Sequence, residues 1–348
     1  MQNPSPDLAR PLRIGTVTLA NRLALAPMSG VSDLPFRRLA SRFGAGMVVT
    51  EMVASRELVG QSYESRCRTR RDGHGTHIVQ LAGREAHWMA EAARIAEAEG
   101  ADIIDINMGC PAKKVTGGYS GSALMRDPDH AIGLIEATVK AVEVPVTLKM
   151  RLGWDENSMN APEIAARAEA AGVQLITIHG RTRCQFYTGR ADWAAIRRVR
   201  DVVGVPLIAN GDVATREDCV GILRESGADA VMVGRAAQGR PWLPGTLAGA
   251  NTAPETAEAI AEVALEHYEM MLEHHGSPVG MRHARKHIGW YVRQHSDDVP
   301  EALIRRMMTG ETASDVKAAL RSALIDFRAG RDLPAGRQPI AAQARKAA

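Results

Sequence analysis

The chain has 348 residues and a net charge of +3, and 45% of it is hydrophobic while only 4% is aromatic. That length can hold one large core plus a small second domain, and the excess of small and aliphatic residues suits a packed α/β protein rather than a β-sandwich. No run of about 18 apolar residues occurs, which excludes an expected membrane span, and the mild basicity is compatible with an RNA partner without arguing for one.

Residues 1–10 hold two prolines and no apolar run, unlike a secretory signal. Segments 12–14 and 17–19 flank Gly15-Thr16 and predict a β-hairpin closing the floor of the fold. Eight short apolar runs follow, at 23–26, 47–51, 78–81, 103–107, 146–150, 175–179, 207–210 and 230–233. Runs apolar throughout suit strands buried on both faces, and eight of them match a closed (β/α)8 TIM barrel. Helical patterns lie between them. Ser32 is expected to cap a helix running through Phe36 and Leu39 to Phe43; others cover 85–99, 162–171 and 216–226. Gly44, Gly100, Gly172 and Gly227 precede the second, fourth, sixth and eighth runs, and this recurrence predicts a barrel built from two-strand units. After Trp242 the character changes. The barrel domain is expected at 1–246 and a polar linker at 247–256. A small C-terminal helical bundle follows at 257–332, with helices at 257–273, 279–294, 300–308 and 313–329, and a flexible tail at 333–348.

Barrel chemistry sits beyond the C-terminal ends of the strands. Those positions carry Pro27-Met28-Ser29, Gln80, Asn107 running into Gly109-Cys110-Pro111, Lys149 with Arg151, His179-Gly180-Arg181, Asn210-Gly211-Asp212 and Gly234-Arg235. Glycines at two neighbouring strand ends, with Arg235, predict an anion site, the alternative being plain turns. Lys149 needs an anionic partner, either a reduced flavin or a barrel carboxylate. Gln80 and His179 could address the same pyrimidine edge. Cys110 lies on a loop where a packing cysteine is unexpected, and a thiol there can act as a general acid. Lys113 and Lys114 are expected to lower its pKa if they approach. The four cysteines (Cys67, Cys110, Cys184, Cys219) form no CxxC pair. No zinc site, no other metal and no disulfide framework are therefore expected, and a reducing cytoplasm is the simplest compartment.

These segments together resemble the tRNA-dihydrouridine synthase family, and within it the bacterial B-type subfamily once described as nitrogen-regulation proteins. The resemblance spans about residues 12–328 and is carried by Leu25-Ala26-Pro27-Met28-Ser29-Gly30-Val31-Ser32-Asp33, Val79-Gln80-Leu81-Ala82-Gly83 and Asp105-Ile106-Asn107-Met108-Gly109-Cys110-Pro111-Ala112-Lys113-Lys114-Val115. It continues through Lys149-Met150-Arg151, Ile178-His179-Gly180-Arg181-Thr182-Arg183, Asn210-Gly211-Asp212 and Gly234-Arg235-Ala236. It implies FMN at the barrel mouth, reduced by NADPH. Pro27, Met28 and Ser29 would line the isoalloxazine, and Gln80, Lys149 and His179 would meet its polar edge. Asn210, Gly211, Asp212, Gly234 and Arg235 would hold the phosphate. Cys110 would protonate C5 of uracil after hydride reaches C6, and the C-terminal helices would bind tRNA. One departure is the run Thr116-Gly117-Gly118-Tyr119-Ser120-Gly121, where the family pattern continues with basic residues; it suggests a mobile loop instead.

A uridine in tRNA must leave its stack to be reduced at C5 and C6. Arg285 and Lys286 lie in a run of basic residues beside Trp290 and Tyr291 and are the expected phosphate contacts, against the alternative of a solvated helix face. Competing readings are a flavin barrel acting on a free pyrimidine, of dihydroorotate type, a non-enzymatic regulator, and an aldolase with Lys149 as Schiff base. The choice of uridine and the preference for NADPH over NADH are not encoded in motifs. The sequence is silent on oligomeric state and compatible with a monomer.

Overall fold

The computed structural model describes residues 6–73 and 75–329. The tail expected at 333–348 lies outside the described residues. Strands β1 (Leu12–Ile14) and β2 (Val17–Leu19) form the expected antiparallel hairpin. Then come β3 (Leu23–Leu25), β4 (Met47–Val48), β5 (Val53–Ala54), β6 (Ile78–Ala82), β7 (Ile103–Met108), β8 (Val146–Arg151), β9 (Leu175–His179), β10 (Leu207–Asn210) and β11 (Ala230–Val233). They pair in parallel in the order β4-β3-β11-β10-β9-β8-β7-β6-β5. The ring closes beyond β4, where Val49 bridges Ile78 and the Thr50 N–H donates to the Ile78 carbonyl at 3.1 Å. This is a TIM barrel.

The second run, expected as one strand at 47–51, is split between β4 and β5. The ladder is interrupted because the Gln80 N–H donates to the Thr50 hydroxyl at 2.9 Å instead of to a carbonyl. Gly44, Gly100, Gly172 and Gly227 all have positive φ (94°, 91°, 104° and 67°), so the left-handed turn does recur before alternate barrel strands.

Strand parity organises the interior. Outward residues such as Ile104, Ile106, Leu148, Met150, Ile176 and Ile178 are buried in the main core with the surrounding helices. A separate floor cluster holds Met47, Val49, Ile78, Ile103, Leu175, Ile208 and Ala230 together with Leu12, Ile14 and Leu19 of the hairpin. The hairpin therefore plugs the floor, as its position suggested. Further along β6 to β10 the same inward parity carries polar side chains: Gln80, Asp105, Thr147, Thr177 and Asn210. The barrel is apolar below and polar above.

Helix Leu34–Arg42 starts one residue later than Ser32 would have it. Its cap is Asp33, whose carboxylate accepts the Phe36 N–H at 3.1 Å, while the Ser32 hydroxyl accepts the Met28 N–H at 2.7 Å. Ser32 closes the turn below the mouth and leaves the cap to its neighbour. At the other end, Leu243–Ala248 is helical, and Leu247 and Ala248 are buried in the barrel core, so two residues expected in the linker are packed there.

The C-terminal helices run Ala257–His275, Ser277–His295, Glu301–Thr309 and Ala313–Ile325. The last ends earlier than its sequence pattern because the chain turns back, with Arg328 bridging Ser296 and the Ala329 N–H meeting the His295 carbonyl at 3.0 Å. Their core contains Tyr268, Met271, Ile288, Tyr291, Met307 and Leu320, and also Leu39, Phe43 and Trp242 from the barrel side. Burying each such side chain contributes about 1.5–3 kcal/mol, so the helices are fixed on the barrel through a shared core. Arg42 adds a two-pronged contact to Glu266 at 2.5 and 2.7 Å. No helix among the described residues is long and apolar enough to cross a membrane.

Candidate active site

Inside the mouth, one carboxylate organises the first polar layer. Asp105 is buried and accepts the Thr147 hydroxyl and the Gln80 amide, each at 2.6 Å. The Gln80 carbonyl oxygen accepts the Asn107 amide at 2.8 Å. Asn107 Oδ1 in turn accepts the N–H groups of Gly109 and Cys110 at 3.2 and 3.0 Å. Strand register makes this chain possible, since Gln80 pairs with Asp105, Asp105 with Thr147, and Asn107 with Lys149. The result is a fixed turn after β7 that presents Cys110.

The Cys110 carbonyl is held from the other side by the Ser122 N–H at 3.1 Å and hydroxyl at 2.8 Å. A helical turn, Lys113–Thr116, leads into the Gly-rich run, which returns against the cysteine: at Gly121, with φ 61°, a Cβ would stand 3.2 Å from that of Cys110. Burial raises the thiol pKa above its ordinary value. An N–H from Ala112 and the charges of Arg151 and Lys149 oppose that without reversing it. Lys113 and Lys114, expected to act on the thiol, are exposed on the helical turn, and the cations that act are Arg151 and Lys149. The expected lowering is thus corrected: Cys110 rests as a thiol, the form a proton donor requires.

Lys149 lies beside Asn107 in register, and its ammonium meets Asn210 Oδ1, a neutral acceptor, at 3.5 Å. Asp105, the nearby carboxylate, has one oxygen on Thr147 and the other on Gln80. Burial, aided by Arg151, pulls the Lys149 pKa down to about 8. A cation so placed calls for an anion from outside the chain. Arg151 is buried against the carbonyls of Gly109 (2.8 Å), Thr182 (2.9 Å) and Phe186 (2.9 Å), so it braces the cysteine turn and the loop after β9. His179 pairs with Asn210 and Arg151 in register. Burial and the surrounding cations Arg151, Lys149, Arg181 and Arg235 push its pKa well below the usual value, so it is neutral. Its Nε2 faces Arg181 Nη1 at 3.3 Å; a guanidinium only donates, so Nδ1 carries the proton.

The opposite rim is built by Asn210, Gly211, Asp212, Gly234 and Arg235. The Asn210 amide donates to the Met232 carbonyl at 2.8 Å. Asp212 sits at φ 55° and binds Arg181 at 2.6 Å and Arg235 at 3.2 Å. Its carboxylate therefore orients two guanidinium groups and is ill-suited to touch a phosphate itself. Arg235 is exposed, and a Cβ on Gly234 would meet only Ala26 at 3.9 Å and the Met28 sulfur at 4.0 Å. That leaves the Gly234 turn open beneath Arg235, as an anion cradle needs. Pro27 and Met28 are half-buried and Ser29 is exposed on the same rim.

Arg285 and Lys286 stand apart from this cluster on helix Ser277–His295. Arg285 is exposed, whereas the Lys286 ammonium would lie 3.2 Å from a Cβ on Gly30, which puts it at the rim beside Ser29. Tyr291 is buried in the helical core, so of the two aromatics expected to stack or pack, this one packs. The sequence reading placed Asn107, Arg151 and Arg181 at the strand ends without giving them roles, and it missed Asp105 as a member of the site. It also missed Tyr187, exposed beyond β9 with Arg151 and Arg235 at 5.4 and 5.1 Å from its ring centre. Two neighbouring aromatics, Phe186-Tyr187, in a glycine-ended polar loop of an aromatic-poor chain were the available signal.

A parallel barrel whose mouth joins a protonated thiol, a counter-ion-poor lysine and an arginine-bearing glycine rim defines a barrel enzyme built around an anionic ligand. The fold is similar to that of a solved morphinone reductase variant in complex with tetrahydroNAD (TM-score 0.51, 16% identity, covering 73% of this chain and 94% of that one). Residues 24–327 match the family model for dihydrouridine synthase (Dus). A probable tRNA-dihydrouridine synthase of Rhizobium leguminosarum bv. phaseoli is 66% identical over 308 residues, covering 88% of this chain and 96% of the relative. The tRNA-dihydrouridine synthase B of Xanthomonas campestris pv. campestris is 45% identical over 307 residues, 86% and 92% of the two chains. The chain belongs to the dihydrouridine synthase family.

Proposed function

We propose that this protein reduces uridine in transfer RNA to 5,6-dihydrouridine at the barrel mouth, with FMN as its flavin and NADPH as its reductant. Family membership supports the reaction, and the observation that carries the assignment of roles is the Cys110 thiol, clamped by Asn107 and Ser122 and kept protonated.

The donor set fits a flavin mononucleotide. Lys149, with only a neutral partner, supplies the positive charge that an anionic N1/O2 edge needs. Neutral His179 offers its Nδ1 hydrogen. Arg235, oriented by Asp212, and the open Gly234 turn beside Gly211 suit a terminal phosphate. Pro27, Met28 and Ser29 line the adjacent rim. When bound and reduced, the flavin supplies the hydride that adds to C6 of the base. Cys110 gives its proton to C5, which completes addition across the double bond and leaves a thiolate that Arg151 and Lys149 stabilise until solvent reprotonates it. Gln80 holds the cysteine turn through Asn107 and reaches the ligand only with hydrogen-bonding capacity left over. Arg285 and Lys286 act on tRNA phosphates, Lys286 from the rim itself.

A lysine with a depressed pKa would also suit a Schiff-base aldolase, and a flavin barrel could reduce a free pyrimidine. Membership in the Dus family and the basic helix at the rim favour neither. The test is direct: purified protein, NADPH and tRNA transcribed without modification should give dihydrouridine, detected as a 2 Da gain by mass spectrometry of the digested tRNA, chemistry that follows from adding H⁻ and H⁺. Turnover of free uracil or orotate but not of tRNA would reject the proposal.

A further inference from the structure

A second cluster of buried polar groups lies where the first barrel helix meets the C-terminal helices. Asp33, His267 and His287 each offer one ligand atom, and these atoms lie within 4.8 Å of one another. All three residues are almost wholly buried, at 5%, 1% and 2% exposure. Neither ring nitrogen of His287 has a hydrogen-bond partner among the described residues, nor does Nε2 of His267. Buried polar atoms are normally paired, and three unpaired imidazole nitrogens at one spot are unusual.

We propose that Asp33, His267 and His287 form a binding site for a divalent transition-metal ion, with zinc the best match, that ties the barrel to the C-terminal helices.

The ligands come from three elements: Asp33 caps helix Leu34–Arg42, His267 lies on Ala257–His275, and His287 on Ser277–His295. Two imidazoles and a carboxylate select a first-row transition metal over calcium or magnesium, which favour oxygen. Tetrahedral zinc with bonds of about 2.0–2.2 Å sets its ligand atoms roughly 3.3–3.5 Å apart, so atoms that lie within 4.8 Å of one another must draw together to meet it.

Supporting contacts are in place around the three. His267 Nδ1 faces the Tyr291 hydroxyl at 3.3 Å, which leaves Nε2 for the metal. His275 Nε2 lies 3.2 Å from the outer oxygen of Asp33, while the Phe36 N–H holds the other at 3.1 Å. The Phe36 ring lies 5.7 Å from both imidazoles and limits their rotation. The cysteine spacing that argued against zinc does not bear on this site, because none of its ligands is a cysteine.

The proposal does not depend on the activity at the mouth, and its test uses no turnover. Untagged full-length protein, purified without chelators, should carry about one equivalent of a transition metal by elemental analysis, which also identifies the ion. Stripping with 1,10-phenanthroline should lower the thermal midpoint, and adding ZnCl₂ should restore it by about 2 °C or more. Asp33→Asn, His267→Gln and His287→Asn should each lose the metal while circular dichroism reports a folded chain. A wild-type protein without stoichiometric metal and without a midpoint response to ZnCl₂ overturns the proposal, as does metal retained by the three variants. Where a variant does not fold, stripping and restoring the wild type decides the matter alone.

Discussion

At the barrel mouth the buried polar groups close on one another: Asp105 takes Thr147 and Gln80, Gln80 takes Asn107, and Asn107 takes two backbone amides. What remains over is positive charge, on Lys149 and on Arg235 at the rim. At the seam under the C-terminal helices the balance is reversed. Unpaired imidazole nitrogens remain over beside a buried carboxylate, and among the described residues no lysine or arginine side chain is hydrogen-bonded to them. Both regions are buried, polar and histidine-bearing, yet one is short of an anion and the other of a cation. The uncompensated charge, more than the residue types, says what each would bind.

The largest effect expected at the mouth comes from Cys110→Ala, which should reduce dihydrouridine formation by about 10²–10⁴-fold. Flavin content and flavin reduction by NADPH should be unchanged, as should metal content at the seam. Product at the wild-type rate would remove Cys110 as the acid. Next is Lys149→Met, which should weaken flavin binding by about 10–100-fold, the worth of a charge-assisted hydrogen bond. Equilibrium titration of the flavin-free protein measures it; unaltered affinity would break the contrast between the two regions.

Lys149 also sets a pH dependence. In the flavin-free chain it loses its proton near pH 8, so flavin affinity should fall by up to about tenfold per unit as pH rises beyond that point. Lys149→Arg should flatten the fall. The sign for stability is opposite: between about 8 and the ordinary value of 10.5 the unfolded chain binds this proton and the folded chain does not. This lysine therefore destabilises less as pH rises through that window.

Smaller effects are expected between and around the two regions. Replacing Arg285 and Lys286 with Ala should reduce the slope of log affinity for tRNA against log salt by about 1 for each phosphate that the pair neutralises. Flavin binding should be unaffected, and an unchanged slope would remove the pair from the tRNA surface. Smallest is Arg42→Ala at the outer edge of the seam. Its partner Glu266 is half-exposed, so the destabilisation should be at most about 1 kcal/mol by denaturant titration.

Strands β9, β10 and β11 begin and end where their apolar runs do, and His179 and Asn210 stand at the strand ends read from the motifs. Those features are local: strand length, turn glycines and inward parity are written in neighbouring residues. The helix cap passed from Ser32 to Asp33 because a serine hydroxyl and a longer aspartate carboxylate compete for amides whose positions depend on the Met28 turn. The environment of Cys110 was misjudged for a similar reason. Lys113 and Lys114 are near it in sequence, but Arg151 and Lys149 are near it in space, and burial outweighs both.

The barrel, the floor hairpin, the C-terminal helices and the segment around Cys110 were legible in the order of residues alone. Periodicity and turn chemistry act over a few residues, and a long motif is specific without coordinates. The distribution of charge was not legible there and had to await the folded chain. Asp105 could serve Lys149 or Gln80, and strand register gave it to Gln80 and Thr147. Asp33, His267 and His287 share no motif; they meet because Leu39, Phe43 and Trp242 join the core of the C-terminal helices and draw them against the barrel. Contacts between distant residues follow from packing, which minimises exposed apolar surface over the whole chain and leaves no local trace.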